Sequence, residues 1–415
     1  MQTRRVFLKH SAATFVGLTF APEFLTRAAA AAPTARGKVL VAVFQRGAVD
    51  GLNMVVPFGD RAYYAARPTI AIPQPGRRGG QEGAVDLDGF FGLHPRMAPL
   101  QPFYERRELA IVHACGSPDS TRSHFDAQDY MESGTPGVKS TDTGWLNRCL
   151  HAQAHADATP FRAVSLTPLM PRSLQGSSPV VAVSQIDRFD IRGPAGVTPS
   201  ATFEAQYASA ADVVLNRTGK EAFEALRMLR EADPARQTPR NGAAYPRSAF
   251  GDAMRQIAQL IRADVGLEIA FAESTQWDHH VNEGSTTGQI AQRLDDFARG
   301  LAAFAIDLGD RLADVVVLTM SEFGRAVAEN GNRGTDHGHG NAMMVLGGGV
   351  KGGRVYGDWP GLDVDERYER RDLAVTTDFR DVFAEVAATQ LGLRDLGAVF
   401  PGYASTPARW RRFMA

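Results

Sequence analysis

Short runs of consecutive hydrophobic residues alternate along the chain with segments whose hydrophobic residues recur every three or four positions. The runs cover residues 39–44, 111–112, 180–183, 315–318 and 343–346. Runs that are apolar on both faces are typical of central strands in a parallel sheet that helices cover on both sides. The hydrophobic pattern therefore predicts at least five strands of one such sheet.

Helical spacing is clearest over residues 289–308, where six apolar residues fall on one face: Ile290, Leu294, Phe297, Leu301, Phe304 and Leu308. A second helix is predicted over 379–391, with Thr377 or Asp378 as its N-cap. Residues 202–230 and 248–264 also have helical patterns. The alternation predicts an α/β fold with a doubly wound, mostly parallel sheet and helices on both faces.

The N-terminus has the pattern of an export signal. Arg4 and Arg5 form a twin-arginine motif, followed by an apolar stretch over 12–20 and alanines over 28–32. We expect a signal peptide over 1–31, cleaved within 28–33, and a single domain over 38–415. The expected location is periplasmic or extracellular, with the twin-arginine export machinery as a partner. The apolar stretch is too short to span a bilayer, and no later apolar run is long enough to do so. No membrane span is therefore expected after cleavage.

Composition narrows the classes of function. The 415 residues are 44% hydrophobic, with a formal net charge of -1 and no basic tract. Nucleic acid is therefore not an expected partner. Only Cys115 and Cys149 are present, and either a disulfide or two buried thiols fits an exported protein.

The strongest chemical signal is a glycine-rich segment over 333–345 that contains Asp336, His337 and His339. Glycine allows a loop to turn several side chains onto one small volume. Carboxylate oxygen and imidazole nitrogen together suit a divalent metal ion. These residue types do not distinguish zinc, manganese, calcium and magnesium, and a polar surface loop is the alternative.

Further acidic and imidazole side chains follow predicted strands, where open parallel sheets bind ligands. Asp50 follows the run over 39–44, and Glu322 follows the run over 315–318. Asp278 and His280 follow residues 269–271 and share one face if the backbone is extended. We predict that all of these residues are metal ligands. The alternatives are an aspartate in a turn, a Glu322–Arg325 ion pair and a histidine-rich turn.

Ser123 is the candidate nucleophile. It precedes His124 where a helix is expected to begin, and a hydroxyl there can be activated by a metal and by the helix dipole. The alternative is an ordinary N-cap. Arg325 or Arg122 would hold anionic oxygens of a substrate.

Several motifs together resemble a known family. They are Arg46-Gly-x-x-Asp-Gly-Leu-Asn53, Trp277-Asp-x-His280, Ser321-Glu-Phe-Gly-Arg325, Gly334-Thr-Asp-His-Gly338 and the glycine-rich segment over 347–357. The chain resembles the exported bacterial family called domain of unknown function 1501, which is similar to the alkaline phosphatase and sulfatase superfamily. The resemblance implies a metal cluster at the carboxyl edge of the sheet, with Asp50 as the first-strand ligand and Ser123 as the nucleophile. Ser123 lacks the Cys-x-Pro-x-Arg context of formylglycine sulfatases. This disfavours sulfatase activity through a formylglycine nucleophile.

Two functions fit these expectations. The first is an exported metal-dependent hydrolase that acts on phosphate or sulfate esters, with an anionic small molecule or glycan as substrate. The second is a non-catalytic exported protein of the same fold that binds an anionic glycan or an envelope partner.

Overall fold

The computed structural model describes residues 37–78, 81–153, 159–186 and 234–415. The predicted signal peptide over 1–31 and the predicted helix over 202–230 lie outside these residues. Among the described residues, the strands are β1 (Val39–Gln45), β2 (Val55–Val56), β3 (Arg77–Arg78), β4 (Gln81–Glu82), β5 (Val85–Asp86), β6 (Gly92–Leu93), β7 (Leu109–Gly116), β8 (Ala163–Ser165), β9 (Val181–Ala182), β10 (Ile269–Ser274), β11 (Val315–Met320), β12 (Asn341–Gly347), β13 (Arg354–Tyr356) and β14 (Thr377–Asp378).

The α-helices of the described residues are Gly51–Met54, Arg61–Ala66, Gln101–Glu105, His124–Ser133, Trp145–Ala152, Ala249–Arg262, Gln289–Leu308, Phe379–Gln390 and Leu396–Val399. The 3-10 helices are Pro95–Leu100, Pro160–Arg162, Arg172–Leu174, Pro234–Arg236 and Gly309–Asp314. The predicted N-cap at Asp378 is present, because Asp378 Oδ1 accepts from Arg380 N. Ser248 caps helix Ala249–Arg262 in the same way, and its Oγ accepts from Gly251 N.

The main sheet has the order β13-β7-β12-β11-β1-β10-β8-β9, and β14 also pairs with β7. All its pairings are parallel except those of β12, which runs antiparallel to β11 and β7. The expectation of a parallel strand over 343–346 is therefore wrong for that strand. Its direction brings the preceding loop to the edge of the sheet where the parallel strands end.

Helices cover both faces of this sheet. Val39, Val41 and Val43 of β1 pack into the core that includes helices Ala249–Arg262 and Gln289–Leu308. Leu40, Ala42 and Phe44 point the opposite way, into the core with helices Trp145–Ala152 and Phe379–Gln390. Alternate residues of one strand thus contact different layers. The prediction of an α/β, doubly wound, mostly parallel sheet is confirmed.

Cys115 and Cys149 are free thiols, and both are buried. Burial raises the pKa of the Cys149 thiol to about 12. Of the two alternatives left open by the sequence, the structure therefore has two buried thiols, which pack as small apolar side chains.

Candidate metal centre

One edge of the main sheet collects most of the residues singled out by the sequence. The carboxyl ends of β1, β7, β10 and β11 lie at this edge. The amino end of β12 joins them because that strand is antiparallel to its neighbours. The loops that follow β1, β7, β10 and β11 therefore meet the loop that precedes β12. Ligand sites of open parallel sheets are expected at this edge.

Three imidazoles and one carboxylate converge here, and we call His124, Asp278, His280 and His337 the edge cluster. His337 Nε2 lies 3.0 Å from His124 Nε2 and 2.9 Å from His280 Nε2. Asp278 Oδ1 lies 3.2 Å from His337 Nε2 and 3.0 Å from His280 Nε2. Asp278 Oδ2 lies 3.5 Å from His124 Nε2.

The second ring nitrogen of every imidazole in the edge cluster lies next to an oxygen acceptor. The pairs are His124 Nδ1 with Glu322 Oε1 at 2.8 Å, His337 Nδ1 with the Arg122 carbonyl at 2.8 Å, and His280 Nδ1 with Asp336 Oδ1 at 3.4 Å. Carbonyl and carboxylate oxygens accept but do not donate, so the shorter contacts of His124 and His337 favour neutral rings with the proton on Nδ1 and a lone pair on Nε2. His280 has a carboxylate oxygen at both nitrogens, at 3.0 Å from Nε2 and 3.4 Å from Nδ1, and the contacts alone do not assign its proton.

This arrangement fits a divalent metal ion. Nitrogen lone pairs that face one another at about 3 Å repel unless a cation or a proton lies between them. A tetrahedral zinc ion with bonds of about 2.0–2.1 Å separates its ligand atoms by roughly 3.3 Å. The ligand atoms of His124, Asp278 and His337 all lie within 4.8 Å of one another. His280 is outside this closest group and contacts it through His337 and Asp278. The Asp278 side chain is 45% exposed, so the centre is open to solvent, as catalytic metal sites are.

Glu322 supports His124 from the buried side. Its Oε1 accepts hydrogen bonds of 2.8 Å from His124 Nδ1, Gln128 Nε2 and Gly47 N. Burial raises the pKa of Glu322, but the hydrogen bonds from His124 and Gln128 outweigh it and hold the pKa below its usual range. The same bond with Glu322 raises the pKa of His124. Carboxylate support of this kind orients a metal-binding imidazole and increases its basicity.

The edge cluster rests on an apolar surface. The ring of Phe323, which is buried, lies 4.9 Å from the His124 ring and 5.0 Å from the His337 ring, measured between centroids. The Phe323 ring therefore packs against both imidazoles.

Arg325 supports Asp278 rather than facing the solvent. Its side chain is fully buried, and Nη2 donates to Asp278 Oδ1 at 2.6 Å. Its other hydrogen bonds go to backbone carbonyls, those of Gly47, Ala48, Trp277 and Thr335. Burial raises the pKa of Asp278, but the bond and the charge of Arg325 outweigh it and lower that pKa overall. Because the Arg325 side chain is 0% exposed, it does not face the solvent from which the substrate oxygen predicted for it would have to bind.

Three other predicted site residues have different surroundings. Asp50 is buried, and its two oxygens lie 2.5 and 3.1 Å from the guanidinium of Arg67. His339 stacks on Tyr368, with ring centroids 4.4 Å apart. Ser123 is the exposed N-cap of helix His124–Ser133, and its hydroxyl makes no cap hydrogen bond. It is adjacent in sequence to both Arg122 and His124, which contact the edge cluster or belong to it.

His124 is a candidate ligand that the sequence patterns do not predict. It lies at the start of a helix next to Ser123, without a glycine-rich loop or a second imidazole close in sequence. The available signal was the position of His124 after β7, whose carboxyl end lies at the same edge as those of β10 and β11.

The fold and the site define an α/β protein with a candidate divalent-metal centre at the carboxyl edge of its sheet. The family model described as "Protein of unknown function (DUF1501)" matches residues 107–400, and the chain belongs to this family. No curated protein matches the sequence.

Three solved structures are similar in outline. The PsFucS1 sulfatase from Pseudoalteromonas sp. is 11% identical with a TM-score of 0.39, over 90% of this chain and 72% of that chain. The phosphonate monoester hydrolase of Agrobacterium radiobacter is 9% identical with a TM-score of 0.33, over 90% and 79%. The C-terminal periplasmic domain of EcEptC from Escherichia coli, in complex with Zn, is 7% identical with a TM-score of 0.33, over 75% and 73%.

Proposed function

We propose that the edge cluster binds a divalent transition-metal ion and that the protein is an exported hydrolase of phosphate or sulfate esters. The observation that carries the proposal is the convergence of the Nε2 atoms of His124 and His337 with the Asp278 carboxylate, beside which His280 Nε2 lies 2.9 Å from His337 Nε2 and 3.0 Å from Asp278 Oδ1. Calcium and magnesium prefer sites made of oxygen ligands. A set with three nitrogens favours zinc or another transition metal over them.

In this proposal the predicted site residues have two kinds of role. Asp278, His280 and His337 are ligands together with His124, while Glu322 and Asp336 orient imidazoles and Arg325 orients Asp278. A bound ion would neutralise negative charge on the ester and polarise the bond that breaks. Asp50 and His339, which contact Arg67 and Tyr368, are assigned no ligand role.

Ser123 is the proposed nucleophile because its exposed hydroxyl lies at the N-terminus of a ten-residue helix, one residue from His124. Its Oγ forms a bond to phosphorus or sulfur while the bond to the alcohol oxygen breaks. The serine proton ends on the departing alcohol, and water then cleaves the serine ester.

Hydrolysis by the metal-loaded protein tests this proposal. Aryl phosphates, phosphodiesters and aryl sulfates should include at least one substrate of the wild type, and His337→Ala should abolish its turnover. Ser123→Ala should also abolish turnover, while the variant protein keeps its full metal content. Turnover that survives Ser123→Ala removes the serine from the mechanism. A metal-loaded wild type that is inactive on all these substrates contradicts the hydrolase and favours a binding protein for an anionic glycan or an envelope partner.

Export remains part of the proposal, with residues 1–31 as a twin-arginine signal peptide and 38–415 as one domain. None of the described helices is both long and apolar enough to cross a membrane. The joint change of Arg4 and Arg5 to lysine should retain the precursor in the cytoplasm. Normal export of that variant would remove the twin-arginine assignment.

A further inference from the structure

Arg46 begins the Arg-Gly-x-x-Asp-Gly-Leu-Asn motif and lies outside the edge cluster. Its side chain is 20% exposed and lies between strand β10 and the helix that carries His124. Nε donates to Glu273 Oε2 at 2.7 Å, and Nη1 donates to Glu132 Oε1 at 2.9 Å and to Gln128 Oε1 at 3.1 Å. One guanidinium therefore joins a strand of the sheet to the helix that supplies a candidate ligand.

One face of the helix that begins at His124 carries polar side chains that continue this network. His124, Gln128 and Glu132 are spaced four residues apart, so they lie on the same side of the helix. Glu132 is buried, and its second oxygen accepts from Ser173 N at 2.9 Å. The helix therefore places the Gln128 amide between this fixed carboxylate and a candidate ligand, within reach of Arg46.

The orientation of the Gln128 amide follows from its neighbours. A guanidinium only donates, so the oxygen of the amide faces Arg46 and its nitrogen is left for another partner. Gln128 Nε2 donates to Glu322 Oε1 at 2.8 Å, and the same oxygen accepts from His124 Nδ1 at 2.8 Å. The opposite orientation would direct the amide oxygen at a carboxylate and the amide N–H groups at a cation. Arg46 therefore acts on His124 through two hydrogen-bonded side chains.

We propose that Arg46 is a positioning residue of the metal centre. Arg46 holds the Gln128 amide in the orientation that donates to Glu322. Glu322 in turn keeps the proton of His124 on Nδ1, so that Nε2 presents its lone pair to the ion. This inference rests on the metal-binding part of the proposed function and adds to it a residue that acts on the ion only through other side chains.

Zinc affinity, measured by competition with a chromophoric chelator, tests this relay of side chains. Arg46 lies one side chain further from the ion than a carboxylate partner of a ligand, whose loss costs about 10- to 100-fold in affinity, so Arg46→Met should cost less, about three- to tenfold. Gln128→Met should give a similar loss. Because Gln128→Met leaves the buried Glu132 with its cation, this second variant keeps the test valid if Arg46→Met does not fold.

A double-mutant cycle separates the relay from a general loss of structure. If Arg46 acts through Glu322, neither Arg46→Met nor Gln128→Met should lower the zinc affinity further in a Glu322→Gln protein. A further loss as large as that in the wild-type background would overturn the relay. Arg162→Met is the matched control, because Arg162 is a buried arginine that binds Glu268 at 2.8 Å, at the amino end of β10. This control should keep the zinc affinity of the wild type.

NMR of the histidine ring nitrogens in the metal-free protein gives a second readout. The wild type should carry the His124 proton on Nδ1, and Arg46→Met and Gln128→Met should each move part of it to Nε2. A loss of stability alone would not change this tautomer. The same tautomer in the wild type and in both variants would therefore overturn the inference.

The results distinguish failure of this inference from failure of the proposed function. A wild type that binds zinc, with unchanged affinity in folded Arg46→Met and Gln128→Met proteins or an equal loss in Arg162→Met, would overturn the role of Arg46 alone. A wild type that binds no zinc would contradict the proposed metal centre, and the His124 tautomer of the metal-free protein would then decide the role of Arg46.

Discussion

Two aspartates follow neighbouring strands of the sheet, and each is paired with an arginine, but their surroundings differ. Asp278 is 45% exposed and binds Arg325 through Oδ1, while its Oδ2 faces His124 at 3.5 Å. Asp50 is 2% exposed, and both its oxygens contact Arg67. Burial raises the pKa of Asp50, but the charge and bonds of Arg67 outweigh it and lower the pKa overall.

The difference shows what makes a carboxylate available to a metal ion. A position after a strand brings an aspartate to the correct edge, and both residues satisfy that condition. Availability depends on the partner and on burial, because a guanidinium that contacts both oxygens of a buried carboxylate balances its charge and takes the place of a cation. Arg325 contacts only one oxygen of Asp278 and leaves the other directed at the imidazoles. The predictions below separate the buried pair from the open cluster.

The largest expected effect is on the buried pair. Arg67→Met removes a fully buried guanidinium and leaves Asp50 without its counter-charge. The free energy of unfolding should fall by about 3–5 kcal/mol, as for other buried pairs that lose one partner. Urea denaturation measures this change. Arg370→Met is the control, because Arg370 and its partner Asp365 are 70% and 84% exposed, and its cost should be below about 1 kcal/mol.

Buried histidines should make stability depend on pH. Burial lowers the pKa of His94 and of His113 to about 4, from 6.5. The folded state therefore favours the neutral rings, and the stabilisation is complete above pH 6.5. It is lost as the pH falls from about 6.5 to about 4, by up to about 3 kcal/mol for each ring.

Denaturation midpoints at pH 7.5, 5.5 and 4.5 measure this loss, with a chelator present so that metal release does not contribute. The double variant His94→Gln/His113→Gln should be less stable at pH 7.5 and should depend less on pH. A wild-type midpoint that is constant from pH 7.5 to 4.5 would contradict the neutral, buried state of these rings.

Glu322→Gln tests the support of the open cluster. The amide can still accept from His124 Nδ1 but lacks the charge that increases the basicity of the ring. Zinc affinity should fall by about 10- to 100-fold, as measured by competition with a chromophoric chelator. Glu385→Gln is a matched change of a buried carboxylate that instead accepts from the backbone of Arg412 and Met414. Glu385→Gln should leave zinc affinity unchanged. An equal loss of zinc affinity in both variants would mean that a general disturbance of the structure, rather than the support of His124, causes it.

The smallest effect concerns Ser123. Because its hydroxyl makes no cap hydrogen bond, Ser123→Ala should change the free energy of unfolding by less than about 0.5 kcal/mol. Ser248→Ala removes a real cap bond of 3.0 Å to Gly251 N and should cost about 1 kcal/mol. Thermal denaturation of both variants makes the comparison. Equal losses would show that Ser123 is an ordinary cap.

The sequence predicted the sheet well because its strands are buried on both faces. The continuous apolar runs at 39–44 and 315–318 favoured buried strands, and the structure has strands at both. The direction of β12 was not predictable from its residues, since a doubly buried strand has the same composition in either direction. The pairing of β12 with β7 and β11 is a long-range property.

The candidate site was only partly predictable, because many of its contacts also join residues that are far apart in sequence. The spacing of Asp278 and His280 fixes which side chains share a face, and both enter the edge cluster while His279 is buried beside Trp277. No local pattern shows that Arg67 takes both oxygens of Asp50. Their contact depends on how the segment between them folds, with helices Gly51–Met54 and Arg61–Ala66 on either side of strand β2.

Zinc titration of four variants tests the central claim most directly. The wild type should bind about one equivalent, and His124→Ala, His337→Ala and Asp278→Ala should each lower the affinity by at least about tenfold. Asp50→Asn, checked for folding by circular dichroism, should bind zinc as the wild type does. A wild type that binds less than about a tenth of an equivalent, or a folded Asp50→Asn protein that loses zinc while the cluster variants keep it, would contradict the account.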